Sequence, residues 1–124
     1  MALTTALTLA LFAQGAVAAT PAAAGEYGYD QLVEGQNRAA IEQIRQNDTE
    51  QAADPAVLIN EGVALARLGD FETARERFEA VLALREVVEL ETAEGKWVTS
   101  RQLARRGLTM LDAGEFQRYY LSMK

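Results

Sequence analysis

The 124-residue chain has no cysteine and no histidine, two prolines, two serines and one tryptophan. Without cysteine there is no disulfide, no thiolate metal site, no thiol nucleophile and no lipid attachment through a thiol. Without histidine the usual general base, the commonest metal ligand and a Ser–His pair are lost as well. Positive charge is also scarce: 12 Lys+Arg stand against 18 Asp+Glu, a formal charge of −6. That balance argues against a whole-molecule nucleic-acid binder, which needs cationic surface to displace counterions. Carboxylate pairs such as Glu72 with Glu76 and Glu89 with Glu91 run along one element instead of facing across a cleft, as glycosidic chemistry requires. The sequence holds no phosphate-binding loop and no cluster of metal ligands. The expectation is therefore a non-enzymatic protein, with no cofactor and no metal, in one domain of ordinary size.

The first 25 residues stand apart, because Met1 to Gly25 carries no charged side chain. A dense apolar middle at Leu7, Leu9, Leu11 and Phe12 precedes small residues, including Ala16-Val17-Ala18 and Ala22-Ala23-Ala24. This is the layout of a secretory leader with an A-x-A cleavage site. The apolar part is too short to span about 30 Å of hydrocarbon comfortably. The expected organisation is a signal peptide over 1–18, with cleavage after Ala18 or Ala24, a flexible tail over 19–27 and a helical domain over 28–124. The mature chain is then periplasmic or secreted and does not insert into a membrane; retention of the leader would make it a membrane-anchored protein.

Glycine supplies a ruler for the rest. Gly28 and Gly35, Gly62 and Gly69, and Gly107 and Gly114 are three pairs, each separated by seven positions; the first two pairs lie 34 residues apart and the last two 45 apart. Around the middle pair, Asp54 and Pro55 predict a helix start. Leu58, Gly62, Leu65 and Ala66 recur at helical spacing and form one apolar face. Gly69 predicts a left-handed stop, Asp70 a new start, and Phe71, Ala74, Phe78, Val81 and Leu82 the facing stripe. The small residues Gly62 and Ala74 are expected to let two helix backbones approach. A helix pair of this kind cannot bury its stripe alone and needs a stacked neighbour.

On these residues the segment resembles a tetratricopeptide repeat. The family's large–small–large first helix is filled by Leu58, Gly62 and Leu65, its turn by Gly69 and Phe71, and its second helix by Ala74, Phe78 and Val81. Flanking copies are partial. Gly35, Ala40 and Ile44 match a second helix over about 36–46 behind a short first helix over about 29–34, and Leu103, Gly107, Met110, Gly114 and Phe116 match a last copy. Glu61, Arg106 and Tyr119 depart from the pattern. The resemblance implies a mainly α fold, a helix-turn-helix solenoid of about two and a half repeats.

The longer second interval holds 11 extra residues. Val87-Val88-Glu89-Leu90-Glu91-Thr92 is β-branched and partly alternating, and Trp97-Val98-Thr99 answers it across a polar, Gly-containing turn. A small β-hairpin over about 87–98 is expected, with Ser100 capping the next helix. Trp97 is expected either to anchor the hairpin by packing or to face a partner.

Charge is divided unevenly. Glu26 to Gly95 carries 16 acids and 6 bases, whereas Lys96 to Lys124 carries 6 bases and 2 acids. Arg101 and Arg105, four apart, share a helix face. In the tetratricopeptide family the first helices line a concave groove, where some members clamp a peptide's terminal carboxylate. The resemblance carries Asn60 to a groove-facing amide, and Arg101 and Arg105 to the two basic positions one repeat later. Guanidinium forks bind carboxylates bidentately, so an acidic or C-terminal peptide suits them. The expected function is that of an adaptor or scaffold for a protein or peptide, not for nucleic acid. The alternatives are a structural homo-oligomer of stacked repeats and a membrane-anchored subunit of an envelope complex.

Overall fold

Local chemistry sets the chain's turning points. The computed structural model describes residues 28–46, 54–92 and 95–124; the leader, its cleavage sites and the tail over 19–27 lie outside the described residues. Among these, six helices and two short strands follow in order: α1 (Tyr29–Val33), α2 (Asn37–Gln46), α3 (Pro55–Arg67), α4 (Phe71–Ala83), β1 (Glu89–Glu91), β2 (Trp97–Thr99), α5 (Ser100–Asp112) and α6 (Glu115–Ser122). The protein is mainly helical with a small two-stranded antiparallel sheet.

At the start of α3 the Asp54 carboxylate accepts a hydrogen bond from the Ala56 N–H at 2.8 Å, and Pro55 occupies the first turn. At its end Gly69 adopts φ 90°, the Asp70 N–H donates to the Leu65 carbonyl at 2.9 Å, and the Gly69 N–H donates to that of Ala66 at 3.1 Å. This left-handed cap satisfies carbonyls that the helix itself leaves open. Asp70 then caps α4 by accepting from the Thr73 N–H at 3.2 Å. The same left-handed glycine closes α1 at Gly35 and stands between α5 and α6 at Gly114, so one turn chemistry serves three helix pairs.

The hairpin forms where the β-branched segments predict it. Glu89 pairs with Thr99, Leu90 with Val98 and Glu91 with Trp97. The cap of α5 differs from expectation. Thr99 is the N-cap, in a reciprocal box with Gln102, whereas Ser100 is fully buried and its hydroxyl accepts from the Val88 N–H at 3.2 Å. A threonine side chain at the strand end reaches the free helix amides, and the serine one place on faces the hairpin instead.

Leu58, Leu65 and Phe78 are buried in one interior cluster, with Phe71 packed against it. The single apolar face expected of α3 is an underestimate: of its residues only Glu61 is not buried, and each of the other five described helices touches it. A helix buried on nearly all sides belongs at a centre. The role expected of Gly62 also changes. A Cβ there would stand 2.8 Å from the Phe78 ring, and one at Gly107 would stand 2.6 Å from the same ring. The two glycines make room for an aromatic side chain from α4, which also stacks on Phe116 of α6 at 6.5 Å. Close approach to backbone is seen at Gly28, where a Cβ would meet the Ala40 carbonyl oxygen at 2.8 Å.

Gly107→Ala tests this packing. Helix propensity alone would favour alanine by about 1 kcal/mol, yet crowding of the enclosed ring is expected to lower stability by about 1–3 kcal/mol. Combining it with Phe78→Leu should recover part of that loss in a denaturant double-mutant cycle.

Candidate functional site

The residues singled out for peptide binding are placed very differently. Asn60 sits in the middle of α3 with no exposed surface, so a peptide would touch it only if the core opened. Arg101, in the first turn of α5, is half-buried, and its Nη2 donates to the Leu84 carbonyl at 3.1 Å. That carbonyl belongs to the residue ending α4, so the guanidinium satisfies a helix C-terminus, where a cation is favoured. Arg105, one turn on, is exposed. Of the two roles expected of Trp97, the packing role falls to Leu90. Leu90 is buried on the inner face of the hairpin, and Trp97 is 53% exposed on the outer face.

A buried cation escaped the sequence reading. Arg67, in the last turn of α3, is 4% exposed. Its Nη1 donates to the Leu32 carbonyl at 2.9 Å and to Asn37 Oδ1 at 3.3 Å, and its guanidinium lies 5.2 Å from the Tyr119 ring centre. One side chain thereby joins α1, α2, α3 and α6. Burial holds its pKa below the ordinary arginine value, and the charge interaction with Tyr119 acts in the opposite direction. An arginine at a helix C-terminus reads in sequence as a solvated charge; only the meeting of distant helices reveals its use. Tyr119 and Glu61, both departures from the repeat pattern, have partners here: Tyr119 beneath Arg67, and Glu61 accepting from Arg77 Nε at 2.7 Å.

The surface of the described residues includes two open clefts. One, of about 330 Å³, lies between α2 and the α3–α4 turn, with an apolar floor of Ile41, Leu65 and Leu68. Its rim mixes Arg38 and Arg45 with Glu42 and Asp70, so it favours neither sign of ligand charge. The other, of about 260 Å³, lies beside Phe71 and Leu111. Among the described residues no cluster of three or more His, Cys, Asp or Glu side chains is placed to hold a metal ion, and no helix is long and apolar enough to cross a membrane.

The coherent surface feature is the exposed side of α5. Gln102, Arg105, Arg106 and Thr109 are exposed at helical spacing. Beside it, α4 exposes Glu72, Glu76 and Glu79, and the Arg75–Asp112 ion pair at 2.6 Å bridges the two helices at the surface. Comparison with protein-family models, with curated proteins and with solved structures finds no match to this chain.

The contrast between the two arginines is measurable. Arg101→Ala is expected to cost about 1–2 kcal/mol, because it strands a half-buried carbonyl. Arg105→Ala should stay within about 0.5 kcal/mol of wild type. Thermal denaturation of both variants checks the difference.

Proposed function

We propose that this protein is an exported, non-enzymatic interaction module: a short tetratricopeptide-like stack of helix pairs that binds an acidic protein or peptide. The observation that carries the reading is the recurrence of one helix–glycine–helix turn at Gly35, Gly69 and Gly114 around a shared interior. Repeated pairs of this kind lend themselves to binding, because stacking exposes one face of each pair in series. The lack of cysteine and histidine in the chain and the spread of its carboxylates along helix surfaces support a role without catalysis. The charge-free, apolar start of the chain supports export to the periplasm or beyond.

The binding surface in this reading is the exposed side of α5, with Arg105 as the contacting cation and Arg106 beside it on the same exposed side. It replaces the three-residue clamp expected from Asn60, Arg101 and Arg105. Asn60 is enclosed and Arg101 is held by α4, so neither is presented to a partner. Exposed guanidiniums attract carboxylates through charge-assisted bonds that weaken as salt rises.

A second reading, self-association, is favoured by the acidic stripe of α4 lying beside the basic stripe of α5. A two-fold axis parallel to these helices would set each stripe against its opposite in a second copy. A labelled acidic octapeptide with a free C-terminus, followed by anisotropy together with light scattering, separates the two. Adaptor binding requires a monomer that captures the peptide and loses about tenfold affinity in Arg105→Ala/Arg106→Ala. Equal binding by both proteins rejects this surface. A salt-sensitive dimer that excludes the peptide supports self-association.

A further inference from the structure

The outer face of the hairpin holds a feature that the α5 surface leaves unused. Trp97 is the chain's single tryptophan, and it is exposed. The ladder explains its position. Beyond the strands themselves, the Ser100 N–H donates to the Val88 carbonyl at 2.8 Å and the Thr92 N–H to the Lys96 carbonyl at 2.7 Å. Pairs 88/100 and 92/96 are therefore hydrogen-bonded, and alternation makes 91/97 a non-hydrogen-bonded pair, the kind in which side chains stand closest.

Two consequences follow. Glu91 stands directly opposite Trp97 on the outer face, with Glu89 two residues along the same face. The amide and carbonyl groups of Glu89 and Glu91 point away from β2, toward the side of β1 that pairs with no other strand among the described residues. Glu89 and Glu91 are both exposed, so the strand places two carboxylates on the outer face. Leu90, buried beneath, and the bonds of Ser100 to Val88 hold the ladder to the helices. The surface is thus formed before any partner arrives.

We propose that this face seats a cationic side chain from an extended, basic segment of a partner protein. An indole face attracts a guanidinium or ammonium, and an adjacent carboxylate pairs with the same charge. The unpaired backbone groups of Glu89 and Glu91 offer an extended segment hydrogen bonds along its length. A neutral or acidic segment gains neither attraction, and Glu89 and Glu91 repel the acidic one. The surface shares no residue with the α5 stripe, and it stands whether or not that stripe binds.

Because Trp97 is the only tryptophan, selective tryptophan excitation reads this face alone in the full chain. The probe is a capped peptide alternating arginine with valine; the control alternates glutamate with valine. The expected result is a saturable change in Trp97 emission with the basic peptide, reversed by salt and absent with the acidic one. By anisotropy of the labelled basic peptide, Glu91→Gln and Trp97→Leu should each bind about fivefold more weakly. Both side chains are exposed, so their thermal denaturation should match wild type, and it serves as the folding control. No saturable change, equal response to the two peptides, or undiminished binding by both well-folded variants would each overturn the proposal.

Discussion

The enclosure of the Phe78 ring is the constraint on which the arrangement of the larger helices depends. Its side chain leaves α4 and enters a space that exists only because Gly62 of α3 and Gly107 of α5 have no Cβ. It then stacks on Phe116 of α6. A glycine inside a helix costs about 0.5–1 kcal/mol relative to alanine, and burial of a phenylalanine gains about 1.5–3 kcal/mol. Two helix-weakening residues are thus offset by one ring that four helices share. Gly62 and Gly107 occupy the same register in successive helix pairs, and this equivalence lets them flank a single side chain.

A second consequence concerns α3. Surrounded by the other helices, it has almost no outer side: in its middle only Glu61 escapes burial, and much of its polar chemistry falls at its ends. At the N-terminus Asp54 satisfies a free amide. At the C-terminus Arg67 has more to satisfy, since α1 ends and α2 begins beside it. A guanidinium with five donors suits a place where a carbonyl and an amide oxygen converge. Desolvating the cation is unfavourable, and the nearby Tyr119 ring from α6 offsets part of that cost. The shortest helices, α1 and α6, are therefore fastened to the centre by one polar contact as well as by apolar burial.

What was legible in the sequence was local. The glycine turns, the aspartate caps at Asp54 and Asp70, the helix pairs and the hairpin all follow from residues within a few positions of one another. What was missed depended on distance. Ser100 and Thr99 are equally good caps on paper, and the approach of Val88 decides between them. Trp97 and Leu90 lie on opposite faces of a three-residue strand pair, so the side on which the hairpin leans determines which one is buried. Asn60 reads as a groove residue only if one face of α3 stays open, and its neighbours enclose it. Arg101 and Arg105 are identical in type and share a face, yet the end of α4 lies within reach of only the first.

The same distinction bears on charge. The sequence tally gives an acidic body and a basic C-terminal stretch, but the fold withdraws charges unequally from the two. In the acidic part Arg67 is buried over the Tyr119 ring, Arg77 is committed to Glu61 and Arg75 to Asp112, so few cations remain to moderate the exposed Glu72, Glu76 and Glu79. In the basic part Arg101 is drawn to Leu84 and Asp112 is drawn to Arg75, and the exposed Arg105 contributes positive charge to α5. Internal pairing thus sharpens the contrast at the surface. Neighbouring ridges of opposite sign cannot both attract one uniformly charged partner, because what one gains the other repels within a Debye length of about 8–10 Å. A partner of single sign must lie along one ridge and avoid the other, and only a partner that is itself bipolar can cover both.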